Sequence, residues 1–177
     1  MTISLPSQGL VQGLILHGPP LLTTDEQKKQ VREMYSTPEF SSDGAHIQAI
    51  WDRIRSKDSS IPLELSHRET LLSLQAGANY VAGYTAVADL DLETILEEIS
   101  VPVLILAGGK DSLKACVEPT AERLKNAESC TVRWLPEDAG TYACDTHPGA
   151  VCGAIADWMK ETKLGTRESY VHVAKHP

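Results

Sequence analysis

The chain has no run of basic residues, no C-x-x-C pair and no long uninterrupted apolar stretch. Each absence removes a class of function. With no basic stripe, nothing is offered to the phosphates of a nucleic acid or an anionic membrane. The formal net charge of −8 and a pI near 5.2 point the same way. Cys116, Cys130, Cys144 and Cys152 stand in no metal-ligand spacing with one another or with a histidine, so they read as reduced thiols, and no metal or other cofactor is expected. The apolar run Leu10 to Leu16 is short and interrupted by glycine, and no basic residue precedes Lys28. It suits neither a leader peptide nor a spanning helix, and a cytoplasmic location is the expectation.

What is present is ordinary for a globular chain: 42% hydrophobic and 23% charged residues over 177 positions, enough for one domain with a real core. LVQGLILHG, closed by Gly18, Pro19 and Pro20, reads as a buried strand. TTDEQKKQVREMY follows, with Thr24 and Gln27 in capping-box spacing, and a helix is expected from there. SSDGAHIQAIWDRIRSK places Ile47, Ile50, Trp51 and Ile54 on one helical stripe. Ser66 and Glu69 suggest a second capping box, opening a long helix weakened by Gly77 and Gly83. A short helix, 91–98, leads into VPVLILA, whose composition suits a strand buried on both faces. EPTAERLKNA, CTVRWLP and HPGAVCGAIADWMKE then read as helix, strand and helix, with Pro148 in the last helix's first turn. Strands alternating with helices mean a parallel α/β sheet. Some eighty residues without a strand signal separate the first two strands, so a helical cap, about 21–98, is inserted in a crossover. The domain is expected to run 1–164. The tail, 165–177, alternates around Tyr170 to Val173 and suits an added edge strand or disorder.

In this order the elements resemble the C-terminal part of an α/β-hydrolase: LVQGLILHGPP its sixth strand, the helical block its cap, VPVLILAGGKD its seventh strand and acid loop, CTVRWLPEDAG its eighth strand, and PGAVCGAIADWM its closing helix. The resemblance implies a truncated α/β-hydrolase-like fold of about three parallel strands with a cap. It maps the family's acid onto Asp111 and its histidine, in the register set by Gly140 and Pro148, onto Thr141. His147, next to Pro148, reads as part of the helix entrance. The G-x-S-x-G elbow that carries the family's nucleophile is not found in the chain. One triad position of three is kept, so hydrolysis through a covalent intermediate cannot be assigned to this chain alone.

In an open α/β sheet ligands bind beyond the carboxyl ends of the strands. That edge is expected to present His17, Asp111, Thr141 and Tyr142, with Trp51, Tyr80 and Tyr84 contributed by the cap. Asp111 and His17 are the catalytic candidates, and the other five are candidates for binding a small-molecule substrate. Three of them have a plainer role open: His17 as a cap of turn carbonyls, Asp111 as a loop cap, Trp51 as core. Nonhydrolytic acid/base chemistry (cyclisation, isomerisation or dehydration of an apolar molecule) is the reading that follows. Half of a split hydrolase and a noncatalytic ligand-binding protein are the alternatives. A three-stranded sheet leaves the strand 11–16 as an apolar edge with unpaired backbone groups, and a homodimer through that edge is expected.

Overall fold

Residues Val103–Ala107 are buried one and all, as expected for a central strand with both faces covered. This is β2, and the computed structural model, which describes residues 11–36 and 38–165, places it between two parallel neighbours. On one side lies β1, Leu14–His17, with Leu14 opposite Val103 and His17 opposite Leu106. On the other lies β3, Cys130–Trp134, with Cys130 opposite Val103 and Trp134 opposite Ala107. Three parallel strands follow the sequence expectation. The first strand begins at Leu14 and includes His17, where 11–16 was expected.

Helices cover both faces. Val103, Ile105 and Ala107 point into one core layer with Leu96, Ile99, Val117 and Leu124. These come from α5, Leu92–Glu97, and α6, Val117–Arg123, with their flanking loops. Leu104 and Leu106 point the opposite way, into a layer with Val151 and Trp158 of α8, Pro148–Glu161. Each fully buried aliphatic side chain contributes roughly 1.5–3 kcal/mol, so β2, feeding both layers, is the stabilising centre of the sheet.

Four helices fill the crossover between β1 and the α5–β2 segment: α1, Asp25–Met34; α2, Ala45–Lys57; α3, Leu63–Ala76; and α4, Ala78–Asp89. The expected capping box starts α1: the Gln27 N–H donates to Thr24 Oγ1 at 3.2 Å and the Thr24 N–H to Gln27 Oε1 at 3.1 Å. The second expected box does not form. Pro62 starts α3 one turn earlier, and Ser66 is wholly buried inside the helix, where its hydroxyl accepts from Arg55 Nη1 at 3.1 Å. The long helical pattern breaks at Gly77, whose φ of 51° and ψ of −129° suit glycine alone. Gly83 stays inside α4. On α2 the stripe is half realised, with Ile50 and Ile54 buried and Ile47 exposed. The cap proper is α1–α4. The expected cap boundary near residue 98 takes in α5, but Leu92 and Leu96 pack with the sheet.

The cap is tied to the sheet's carboxyl end. Tyr142 packs against the cap core of Ile50, Ile54, Ile61 and Leu65. Arg68 of α3 grips Asp145 with two bonds, Nη1 to Oδ1 at 2.8 Å and Nη2 to Oδ2 at 2.9 Å. Asp145 belongs to α7, Ala143–Thr146, a short helix with no sequence signal. The bonds from Arg68 hold the Asp145 carboxyl below the usual carboxylate range. Tyr170 to Val173, singled out in the sequence, lie outside the described residues.

Candidate functional site

The turn Gly108–Gly109 after β2 has a steric reason. A Cβ on Gly108 would lie 2.1 Å from the carbonyl oxygen of Ala139, and one on Gly109 would lie 2.6 Å from that of Glu137. The loop after β3 crosses that close, joined by the Lys110 N–H to Ala139 O at 2.9 Å. Gly108→Ala should therefore cost about 1–3 kcal/mol or prevent folding, because a backbone carbonyl cannot yield as a side-chain tip can. A melting temperature equal to wild type would refute this packing.

The same turn delivers Asp111 into a buried position, 3% exposed. Its N–H returns to Gly108 O at 3.1 Å, and its Oδ1 accepts from the Leu113 N–H at 2.8 Å. The second oxygen, Oδ2, is buried with no hydrogen-bond partner. It packs against the turn leaving β1: a Cβ on Gly18 would lie 3.0 Å from it. His17, the residue before that turn, has a buried Nε2 that is likewise without a partner. The two expected catalytic residues thus stand at adjacent strand ends, but neither of these two atoms bonds to the other.

Thr141 reaches only the neighbour of Asp111. Its Oγ1 is 3.3 Å from the hydroxyl of Ser112, the neighbour of Asp111. His147 is the N-cap residue of α8, with Nδ1 2.9 Å from Thr146 Oγ1 and Nε2 3.3 Å from Asp138 Oδ1. Both ring nitrogens are engaged away from Asp111, so this histidine does not restore a triad. It lines a charged cleft of about 780 Å³ with Arg68, Lys110 and Asp145. All four cysteines are free, and only Cys116 is buried. Burial pushes its thiol up, with a bond to the Leu21 backbone opposing this and nearby Asp111 adding to it. Such a thiol is a poor nucleophile.

The cap tyrosines are arranged differently from the expectation. Tyr84 stacks on Tyr35 with ring centres 3.5 Å apart and planes at 2°, and Tyr80 leans on both. Arg53 lies 4.8 Å from the Tyr80 ring centre and Lys57 lies 4.9 Å from that of Tyr35. These are cation–π distances. Tyr80 and Tyr84 are therefore committed to a cluster inside the cap, and the partners that hold them, Tyr35, Arg53 and Lys57, were not singled out in the sequence. The i, i+4 spacing of Arg53 and Lys57 on α2 was the available signal. Trp51 is half-buried on the same helix. Among the described residues no group of three or more His, Cys, Asp or Glu is placed to hold a metal ion, and no helix is long and apolar enough to cross a membrane.

Burial raises three phenols. Tyr84 is pushed up to about 12, with Lys57 opposing and Tyr35 and Tyr80 adding. Tyr35 is raised chiefly by burial. Tyr142 is raised by burial and then by Glu69. In the unfolded chain each would ionise near 10.0. The fold therefore favours the neutral phenols, and their contribution is complete below about pH 10 and is lost as pH rises toward about 12. Stability should fall over that window, with phenolate absorbance rising as the chain unfolds. Full ionisation of all the tyrosines near pH 10 in a still-folded protein would contradict the buried cluster.

The architecture, a parallel three-stranded sheet with a helical cap in the first crossover, is a truncated α/β-hydrolase-like fold. No family model and no curated protein matches the chain. Solved structures do match. MenH from S. aureus aligns with a TM-score of 0.58 at 19% identity, over 86% of this chain and 60% of its own. An esterase from Thermogutta terrifontis aligns at 0.59 and 23%, over 85% and 56%. A hydrolase from Pseudomonas aeruginosa PA01 aligns at 0.58 and 20%, over 88% and 58%. The chain thus spans less than two thirds of the structures it resembles, and at these identities the likeness is one of fold.

Proposed function

We propose that the chain is a small-molecule enzyme that works by proton transfer at the strand ends: cyclisation, isomerisation or dehydration of an apolar substrate, with Asp111 and His17 as the acid/base pair. One observation carries this reading, the two buried atoms without partners, Asp111 Oδ2 and His17 Nε2, at adjacent strand ends. Leaving a buried polar atom unsatisfied costs about 1–3 kcal/mol. Two such atoms at neighbouring strand ends suit groups kept for a ligand that satisfies them. Thr141 and Ser112, with hydroxyls 3.3 Å apart beside Asp111, would orient the substrate. Proton transfer needs placement and a dry site, and no covalent nucleophile. The threonine at the position that the resemblance maps to a histidine and the raised Cys116 thiol favour it over acyl transfer.

The reading predicts that the purified protein neither hydrolyses p-nitrophenyl esters above the buffer rate nor is labelled by a fluorophosphonate probe. Stoichiometric labelling at a serine would overturn it.

A second reading is favoured by the incomplete coverage of the solved structures and by the outer edge of β1, unpaired among the described residues. In it another chain supplies the missing strands. We take that chain to be a second copy, pairing β1 with β1 about a twofold axis. A different chain carrying a nucleophile elbow would make a split hydrolase, against which Thr141 speaks. Mass spectrometry of the intact native assembly separates the two, since a split hydrolase would show a second polypeptide.

A further inference from the structure

The cap contains a cavity that the strand-end chemistry does not use. It measures about 300 Å³ and is walled by Phe40, Ile50, Leu74, Ala78 and the ring of Tyr80, with Arg53 beside them. That is the lower end of the range for ligand pockets, roughly 300–1,000 Å³. Its lining is almost wholly apolar, and Arg53 brings the one permanent charge. The guanidinium is only partly satisfied. Nη1 donates to the carbonyls of Met34 and Ser36 at 3.2 Å each, and the Tyr80 and Tyr35 rings lie against it. Nε is buried with no partner. Among the described residues no acidic side chain forms an ion pair with Arg53.

A half-buried guanidinium without a counter-anion, beside an apolar void, is half of a recognition pair. The fork of an arginine matches a carboxylate, and the match strengthens as water is excluded. A single cation in an apolar wall suits one negative charge, because a dianion would leave charge buried without compensation. Two further features favour a flat apolar body on that carboxylate. Phe40 stands 92% exposed at the cavity, its ring edge-on to His46 at 5.3 Å. At Gly77 an added Cβ would meet nothing within 4 Å, so the wall there is open. We propose that this cavity binds a small aromatic monocarboxylate, its acid group on the unpartnered side of the Arg53 guanidinium and its ring between Phe40, Leu74 and Tyr80. The site is separate from Asp111 and His17, and the inference does not depend on their chemistry.

Phenylacetate and phenylacetamide, titrated into the full chain and followed by amide chemical shifts and calorimetry, provide the test. The acid should bind and shift the Leu74, Gly77 and Ala78 amides. The amide should bind at least ~10-fold more weakly, the scale of a charge-assisted hydrogen bond. Arg53→Met should weaken the acid by a similar factor. Lys57→Met, which removes the other cation of the tyrosine cluster, should leave its affinity unchanged. Equal affinity for acid and amide, binding of neither at millimolar concentration, shifts confined to Gly18 and Asp111, or equal losses in the two variants would each overturn the proposal. Should Arg53→Met fail to fold, the acid and amide comparison on the wild-type chain still decides it.

Discussion

Ile15→Lys is expected to abolish the proposed self-association, giving a monomer or an aggregate where the wild-type chain is expected to sediment as a dimer. The reasoning starts from the register of the sheet. Ile15 pairs with Leu104 and faces the α8 side, yet it is 40% exposed where Leu104 is fully buried. Val11, just before the strand, is also 40% exposed. β1 is hydrogen-bonded to β2 on one side only among the described residues. An apolar strand with an open ladder is a template for pairing. Joining two such edges would place Ile15 at the centre of a continuous sheet, where an ammonium would be buried unpaired at a cost of several kcal/mol. Association is sensitive to such a charge, since a stable interface commonly buries about 1,200–2,000 Å² in all. A wild-type chain that is monomeric at micromolar concentration with its full secondary structure would refute the assembly, as would a dimeric Ile15→Lys variant.

The parts of the fold that could be read in the sequence are those fixed by neighbours in the chain. VPVLILA announces β2 because burial on both faces demands an unbroken aliphatic run, and Thr24 with Gln27 announces α1 because a capping box is closed within one turn. Gly77 marks a helix break for the same local reason. Ser66 and Glu69 mislead because their hydrogen bonds are decided elsewhere: Pro62 starts the helix earlier, and Arg55 reaches across from α2 to Ser66. The α7 helix has four residues and no period to detect. At the site, the placing of His17 and Asp111 at adjacent strand ends follows from strand order and was legible. That Asp111 Oδ2 and His17 Nε2 are left without partners was not, because it depends on the turns around Gly18 and Gly108. Tyr80 and Tyr84 were legible as large amphipathic groups, but their partner Tyr35 sits at the end of another helix, and nothing in spacing joins them.

Asp111→Asn separates a working carboxylate from a loop cap. The substitution preserves the shape and keeps an oxygen for the Leu113 N–H, now bonded at 2.8 Å. It removes the capacity to take a proton at Oδ2. If the proposed chemistry is right, turnover of the native substrate falls on the order of 10²-fold or more, the scale of a positioned acid or base. The fold should hardly notice, since the one bond at stake contributes about 1 kcal/mol. Asp111→Ala removes that bond as well and should lower the melting temperature where Asp111→Asn does not. The substrate can be found by incubating the protein with small-molecule extracts of its source and following which component is consumed by wild type alone. The most direct measurement is then the turnover of that component by wild type and Asp111→Asn, both shown folded by their melting curves. The account predicts a loss of on the order of 10²-fold at an unchanged melting temperature, and unchanged turnover with a lowered melting temperature would contradict it.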